Sequence, residues 1–326
     1  MQAAQTVEII KKFTGRLLKP LTGKLTANAQ PTRKVSLVLS GGGARTIAQI
    51  GVIRAMEEAG IEIEMVGGTS GGAIIAAMLA LGWDSERIRK SLRRYMKESG
   101  SLLDYVLPVH SLTGGKIING MSADAFGETR IEDLPRTFFC VSCNLNRAEL
   151  VVHRSGLLRK AVTSSIAIPG MMPPVAMDGE LLVDGGVLNN LPVDVMKQFS
   201  TGEVWAVDVS IKPEVKICQR YSGSLPSWKI WWSRINPFAE PIQVPTVVDI
   251  LMNTAMLASQ RQSELNRRLA DFCLQPPVEE FKIFDFKSYD RIVEVGYRYA
   301  RQAIAELNVS TSQAELSFLR CEPIEE

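Results

Sequence analysis

The sequence predicts an α/β fold: a central, mostly parallel sheet flanked by helices. Three observations predict it. Strand-like and helix-like apolar runs alternate from Val35 to Leu81. The first strand-like run is followed by a glycine loop, Ser40-Gly41-Gly42-Gly43, and a helical pattern. The second runs into a glycine-dense corner, Gly67-Gly68-Thr69-Ser70-Gly71-Gly72, and then an apolar helix. Strand–helix–strand order favours right-handed crossovers, which set strands parallel and cover both faces of the sheet.

Val35–Leu39 reads as a buried strand. Arg45–Ala59 reads as a helix, with Ile47, Ile50 and Ile53 on one face, Met56 at its edge and Gly60 as its C-cap. Ile61–Val66 is the second strand, with Glu62 and Glu64 as its polar half. Ala73–Leu81 is a buried helix too short to span a bilayer. Asp84 is placed to cap a charged helix through Lys97. Later strands fall at Arg136–Cys143, Glu149–His153, Leu181–Val183 and Glu203–Val209, and helices at Leu157–Ser165 and Pro192–Phe199. Asp178-Gly179, between strand-like Pro174–Met177 and Leu181–Val183, reads as a hairpin turn. Residues 212–245 break the rhythm with five prolines and Trp228, Trp231 and Trp232, which fits a lid at a membrane–water interface or aromatic packing over a sheet edge. Thr246–Asp271 and Tyr289–Leu307 are long helices, and 308–326 reads as a polar, poorly ordered tail. The main domain is therefore expected over 34–307.

Residues 1–33 form a separate basic segment. Val7, Ile10, Phe13, Leu17 and Leu18 share a helical face, and Lys11, Lys12, Arg16 and Lys19 lie off it. That pattern suits a helix lying on an anionic membrane, or one docked on the domain or left in solvent. Across 326 residues the chain is 46% hydrophobic and 22% charged, enough for a large core. Its net charge of +2 gives no electrostatic case for nucleic acid. No secretory signal is visible, since Glu8 interrupts the first apolar residues. The five cysteines are scattered, and Cys140 and Cys143, three apart in a strand, point to opposite faces and make a poor metal pair. They read as core cysteines of a reducing, cytoplasmic compartment, with the basic segment placing the protein against the inner face of a membrane.

Gly68-x-Ser70-x-Gly72 between strand and helix fits a nucleophile elbow, where glycines allow the tight corner. A serine hydroxyl needs a base to take its proton. The chain has two histidines, His110 and His153. His153, in Val-Val-His-Arg, reads as a strand-end or surface residue, so a carboxylate base is expected. Asp184, in Val183-Asp184-Gly185-Gly186, follows a buried strand at the edge where ligands approach an α/β sheet. Burial beside Ser70 would raise its basicity. Acyl transfer also needs donors for the developing oxyanion, and the amides of Gly41, Gly42 and Gly43, with Arg45 as added positive charge, can supply them. Nucleotide readings of this loop fare worse. A dinucleotide fingerprint needs glycine where Thr46 stands, and no Gly-Lys-Ser/Thr is present.

Glycine loop, elbow and Asp-Gly-Gly, in that order and without a catalytic histidine, resemble the patatin-like phospholipases. Further stretches are similar to the bacterial and neuropathy-target-esterase branch: Ile50-Gly51-Val52-Ile53-Arg54-Ala55, Ser164-Ser165-Ile166-Ala167-Ile168-Pro169-Gly170, Asn189-Asn190-Leu191-Pro192 after the Asp-Gly-Gly, Phe281–Phe286 and Val295-Gly296-Tyr297. The resemblance implies a three-layer sandwich and a Ser-Asp dyad hydrolase of phospholipid or lysophospholipid acyl esters, with no metal or cofactor. Ser70 is then the nucleophile, Asp184 the base, and Gly41, Gly42 and Gly43, with Arg45, the oxyanion hole. Ile168, Met171, Met172, Trp228, Trp231 and Trp232 are candidate lipid contacts. Thr46 departs from the usual glycine, where a side chain would crowd the loop. The same dyad would also serve transfer to an alcohol or lysolipid, and a protein slowed by Thr46 would be a membrane-associated lipid-binding protein.

Overall fold

The structure is a computed structural model, and it describes residues 33–98, 104, 106–107, 111–211, 232, 235 and 247–319. Residues 1–32 of the basic segment, with Trp228, Trp231 and most of the 212–245 loop, lie outside the described residues. In chain order the elements are β1 (Lys34–Leu39), a 3-10 turn (Gly43–Ile47), α1 (Ala48–Glu58), β2 (Glu62–Thr69), α2 (Gly71–Ala80), α3 (Ser85–Glu98), α4 (Lys116–Phe126), β3 (Thr137–Asn144) and β4 (Glu149–His153). There follow α5 (Leu158–Ser165), β5 (Val175–Met177), β6 (Glu180–Asp184), α6 (Val193–Lys197), β7 (Glu203–Val207), α7 (Val247–Leu269), β8 (Phe272–Leu274) and α8 (Tyr289–Leu319).

The sheet runs β5-β6-β3-β2-β1-β7-β8, with β4 also paired to β3. Strands β3, β2, β1, β7 and β8 are mutually parallel, and β4, β5 and β6 are antiparallel additions at one end. Alternation divides the core in two. Val35, Leu37 and Leu39 of β1, with Trp205 and Val207 of β7, pack with α1, α2 and α8. Val38, Val204 and Ala206 face the other way, against Val193, Val195 and Met196 around α6. The predicted α/β class therefore holds. Among the described residues no helix is long and apolar enough to cross a membrane.

Several boundaries moved for physical reasons. The first helix opens as the 3-10 turn at Gly43, because Gly43 takes φ +58 and Thr46 Oγ1 donates to its carbonyl at 2.7 Å. Asp178, at φ 53, does turn the β5–β6 hairpin. Helix α4 had no sequence signal of its own. Its cap comes from Asp104, whose carboxylate accepts from the amides of Gly115 and Lys116 at 3.0 and 2.9 Å. Helix α8 continues to Leu319, into the stretch that reads as a polar tail, since no glycine or proline intervenes between Gly296 and Pro323.

Candidate active site

Strand β3 brings the two predicted catalytic residues together. Its Thr137–Val141 stretch pairs with Met65–Thr69 of β2, and its Ser142–Asn144 stretch pairs with Asp184–Leu182 of β6. Strand β4 pairs with Cys140–Asn144 and so occupies the opposite edge of β3. Strands β2 and β6 must then meet end to end along one edge. Thr69 sits opposite Val141 and Asp184 opposite Ser142, the next residue along. Ser70 follows Thr69 directly, so the register itself sets the elbow against the aspartate.

Ser70 is the strained corner. Its backbone lies at φ 55 and ψ −130, a left-handed conformation that a non-glycine residue adopts at a cost of about 1–3 kcal/mol unless its surroundings impose it. Here they do. The Ser70 amide donates to Ser165 Oγ at 3.0 Å, its carbonyl accepts from Ala73 N at 2.9 Å, and Thr69 Oγ1 donates to the Asn189 carbonyl at 3.0 Å. Gly72 must lack a side chain, because a Cβ there would lie 2.5 Å from the carbonyl oxygens of Leu39 and Ser40. That close approach seats the start of α2 on the end of β1.

Asp184 is buried, with 5% exposure. Burial pushes its carboxyl up to about 7, and the neighbouring Ser70 side chain and the Gly186 amide restrain the rise. The Gly186 bond to Oδ1 is 2.7 Å long. A buried carboxyl that titrates near neutrality beside a serine is matched to general-base work.

The glycine loop closes over this pair. A Cβ on Gly41 would stand 3.0 Å from the Ser70 Cβ, so loop and elbow touch. Gly41 is clamped by Asn190: its amide donates to the Asn190 carbonyl at 3.2 Å, and Asn190 Nδ2 donates to its carbonyl at 3.2 Å. The Gly41 amide is thus committed, whereas the amides of Gly42 and Gly43 have no hydrogen-bond partner among the described residues. Arg45 anchors the loop. Its Nε donates to the Phe281 carbonyl at 2.8 Å, tying the loop to the C-terminal part of the chain. Thr46 lies against Gly71, whose Cβ would stand 2.6 Å from Thr46 Oγ1.

Met171 and Met172 are buried in a small apolar cluster with Ile168, Ile283 and Phe284. Two hydrogen bonds attach this cluster to the site: Asp184 N to Ala167 O at 2.9 Å, and Ala44 N to Ile283 O at 2.7 Å. Trp232 is 56% exposed. His153 ends β4 as expected, yet it is buried rather than at the surface. Asn189, Asn190 and Ser165 were not singled out from the sequence. Their only signal was position, within two of the stretches that carry the family resemblance. Among the described residues no group of three or more His, Cys, Asp or Glu could hold a metal ion.

A family profile described as patatin-like phospholipase matches residues 37–197. The chain is 36% identical over 294 residues to patatin-like phospholipase domain-containing protein 6 of Homo sapiens, covering 88% of this chain and 21% of that protein. It is 35% identical over 298 residues to neuropathy target esterase sws of Drosophila melanogaster, covering 88% and 20%. To lysophospholipase NTE1 of Meyerozyma guilliermondii it is 34% identical over 271 residues, covering 82% and 19%. The chain spans about a fifth of the length of these curated relatives.

Proposed function

We propose a serine esterase of lipid acyl esters: the chain belongs to the patatin-like phospholipase family, on its neuropathy-target-esterase-like branch. Its substrates are then lysophospholipids or phospholipids. The observation that carries the reading is the buried Asp184 carboxyl, raised to about 7 and set against Ser70 by the β2–β3–β6 register.

Asp184 takes the Ser70 proton as Oγ attacks the ester carbonyl. The tetrahedral oxyanion is stabilised by the amides of Gly42 and Gly43. Collapse breaks the ester bond and the leaving alcohol takes the proton back from Asp184, leaving an acyl-serine. Water, deprotonated by Asp184, attacks that acyl group, releases the fatty acid and restores the Ser70 hydroxyl. The cluster around Ile168, Met171 and Met172 receives the acyl chain, and exposed Trp232 and Ile235 contribute to a peripheral membrane contact.

Ser70→Ala and Asp184→Asn test the dyad. Each is expected to lower fatty-acid release from a lysophospholipid by about a thousandfold or more, with an unchanged circular dichroism spectrum. Turnover like that of the unmodified protein in either folded variant would sink the assignment.

A further inference from the structure

The mechanism uses no histidine, yet His153 is placed with care behind the dyad. It is 6% exposed, and burial holds its imidazole neutral, with its pKa lowered to about 4. Nε2 lies 2.7 Å from Ser142 Oγ on β3 and 3.2 Å from Ser164 Oγ on α5. Ser164 donates its one hydroxyl proton to the Ala161 carbonyl at 2.8 Å, so it can only accept from the ring. That assigns the ring proton to Nε2, shared between the two serine oxygens.

Both serines lead to the dyad. Ser142 is the residue opposite Asp184 in the β3–β6 ladder. Ser164 precedes Ser165, whose Oγ accepts the Ser70 amide at 3.0 Å. The face is also shared. His153 is opposite Cys140, two residues before Ser142, so the imidazole, Ser142 and Asp184 side chains emerge on one side of the sheet, under the end of α5. Among the described residues, this neutral imidazole donating to two hydroxyls is the one group that joins β3, β4 and α5 by side-chain hydrogen bonds.

We propose that His153 is a positioning residue for the dyad: by binding Ser142 and Ser164 it fixes the end of α5, and so holds Ser165 on the strained amide of Ser70. This rests on the esterase reading for Ser70 but not on which lipid is cleaved. A buried histidine that only packs would affect stability. One that acts along this chain affects the reactivity of Ser70 through Ser165.

The test is a double-mutant cycle read by the rate at which a fluorophosphonate probe labels Ser70, well below each variant's melting temperature. His153→Leu and Ser165→Ala are each expected to slow labelling about tenfold, and the double variant to lose little more than the worse single one. His153→Gln, whose side-chain amide can place an N–H near Nε2, is expected to recover most of the rate, and it serves in the cycle if His153→Leu does not fold. Additive losses, or labelling by folded His153→Leu at the unmodified rate, would overturn the proposal. Absence of labelling in the unmodified protein would instead defeat the esterase reading.

Discussion

Asp184 is under two opposed demands. The proposed mechanism needs its carboxylate form, and burial disfavours that form. Its folded-state value, about 7, stands well above the usual carboxylate value near 3.9. Two consequences differ in sign. kcat/KM is expected to climb with pH and level off above about 7, as the base loses its proton. Stability runs the other way. The folded state binds this proton more tightly than the unfolded chain, so the contribution is full below about pH 4 and is lost as pH rises through 7. At pH 8 the penalty is on the order of a few kcal/mol. Asp184→Asn removes it, so urea unfolding from pH 4 to 8 should show the variant gaining on the unmodified protein as pH rises. A pH-independent difference would mean that the buried carboxylate is not what sets the curve. Asp184 stood out in the sequence as the candidate base because a chain with two histidines offers few other bases. Its environment was not legible there, since the burial comes from strands distant in sequence.

At the scale of elements, the 3-10 turn over Gly43–Ile47 answers the question raised by Thr46. The peptide between Gly43 and Ala44 is held at both ends: its carbonyl accepts from Thr46 Oγ1 and its N–H donates to the Ile283 carbonyl, each at 2.7 Å. With that peptide fixed, the preceding amides keep a constant direction. Thr46 is a brace here rather than an obstruction. Thr46→Val keeps the shape and deletes the bond, which contributes about 0.5–1.5 kcal/mol. We expect kcat to fall between about twofold and tenfold with KM little changed, and Thr46→Ser to keep most of the activity, as measured by steady-state hydrolysis. An unchanged kcat in Thr46→Val would remove the brace. The elements themselves were mostly readable. Glu149–His153 was placed to the residue, because an apolar run between turn residues is a local signal. Helix α4 was not, because Asp104 caps it from outside the helix. Nor was the double pairing of β3 legible, since nothing in Thr137–Asn144 announces two partners on one edge.

Across the whole molecule, the site depends on chain far beyond the stretch that the family profile covers. The segment leading into α8 supplies the Ile283 and Phe281 carbonyls that hold Ala44 and Arg45. That segment is positioned by α8, which crosses α1 with the two backbones in contact. A Cβ on Gly296 would stand 2.0 Å from the Ala48 carbonyl, and one on Gly51 would stand 2.0 Å from the Val293 carbonyl. Neither neighbour can yield, because both are helix backbone. Tyr297 seals the crossing, with its hydroxyl 2.8 Å from Glu58 and its ring 4.1 Å under the Arg54 guanidinium. Forcing the helices apart should therefore act at two places, on stability and on the glycine loop. Gly296→Ala is expected to destabilise the fold by about 3 kcal/mol, the upper end for an overpacked contact. It should also slow fluorophosphonate labelling of Ser70 in the folded protein, because the carbonyls of residues 281 and 283 shift with α8. Arg298→Ala, which removes only an exposed pair with Glu294, is the control and should change neither. A lower melting temperature with undiminished labelling would show that α8 stabilises the domain without setting the geometry of the loop.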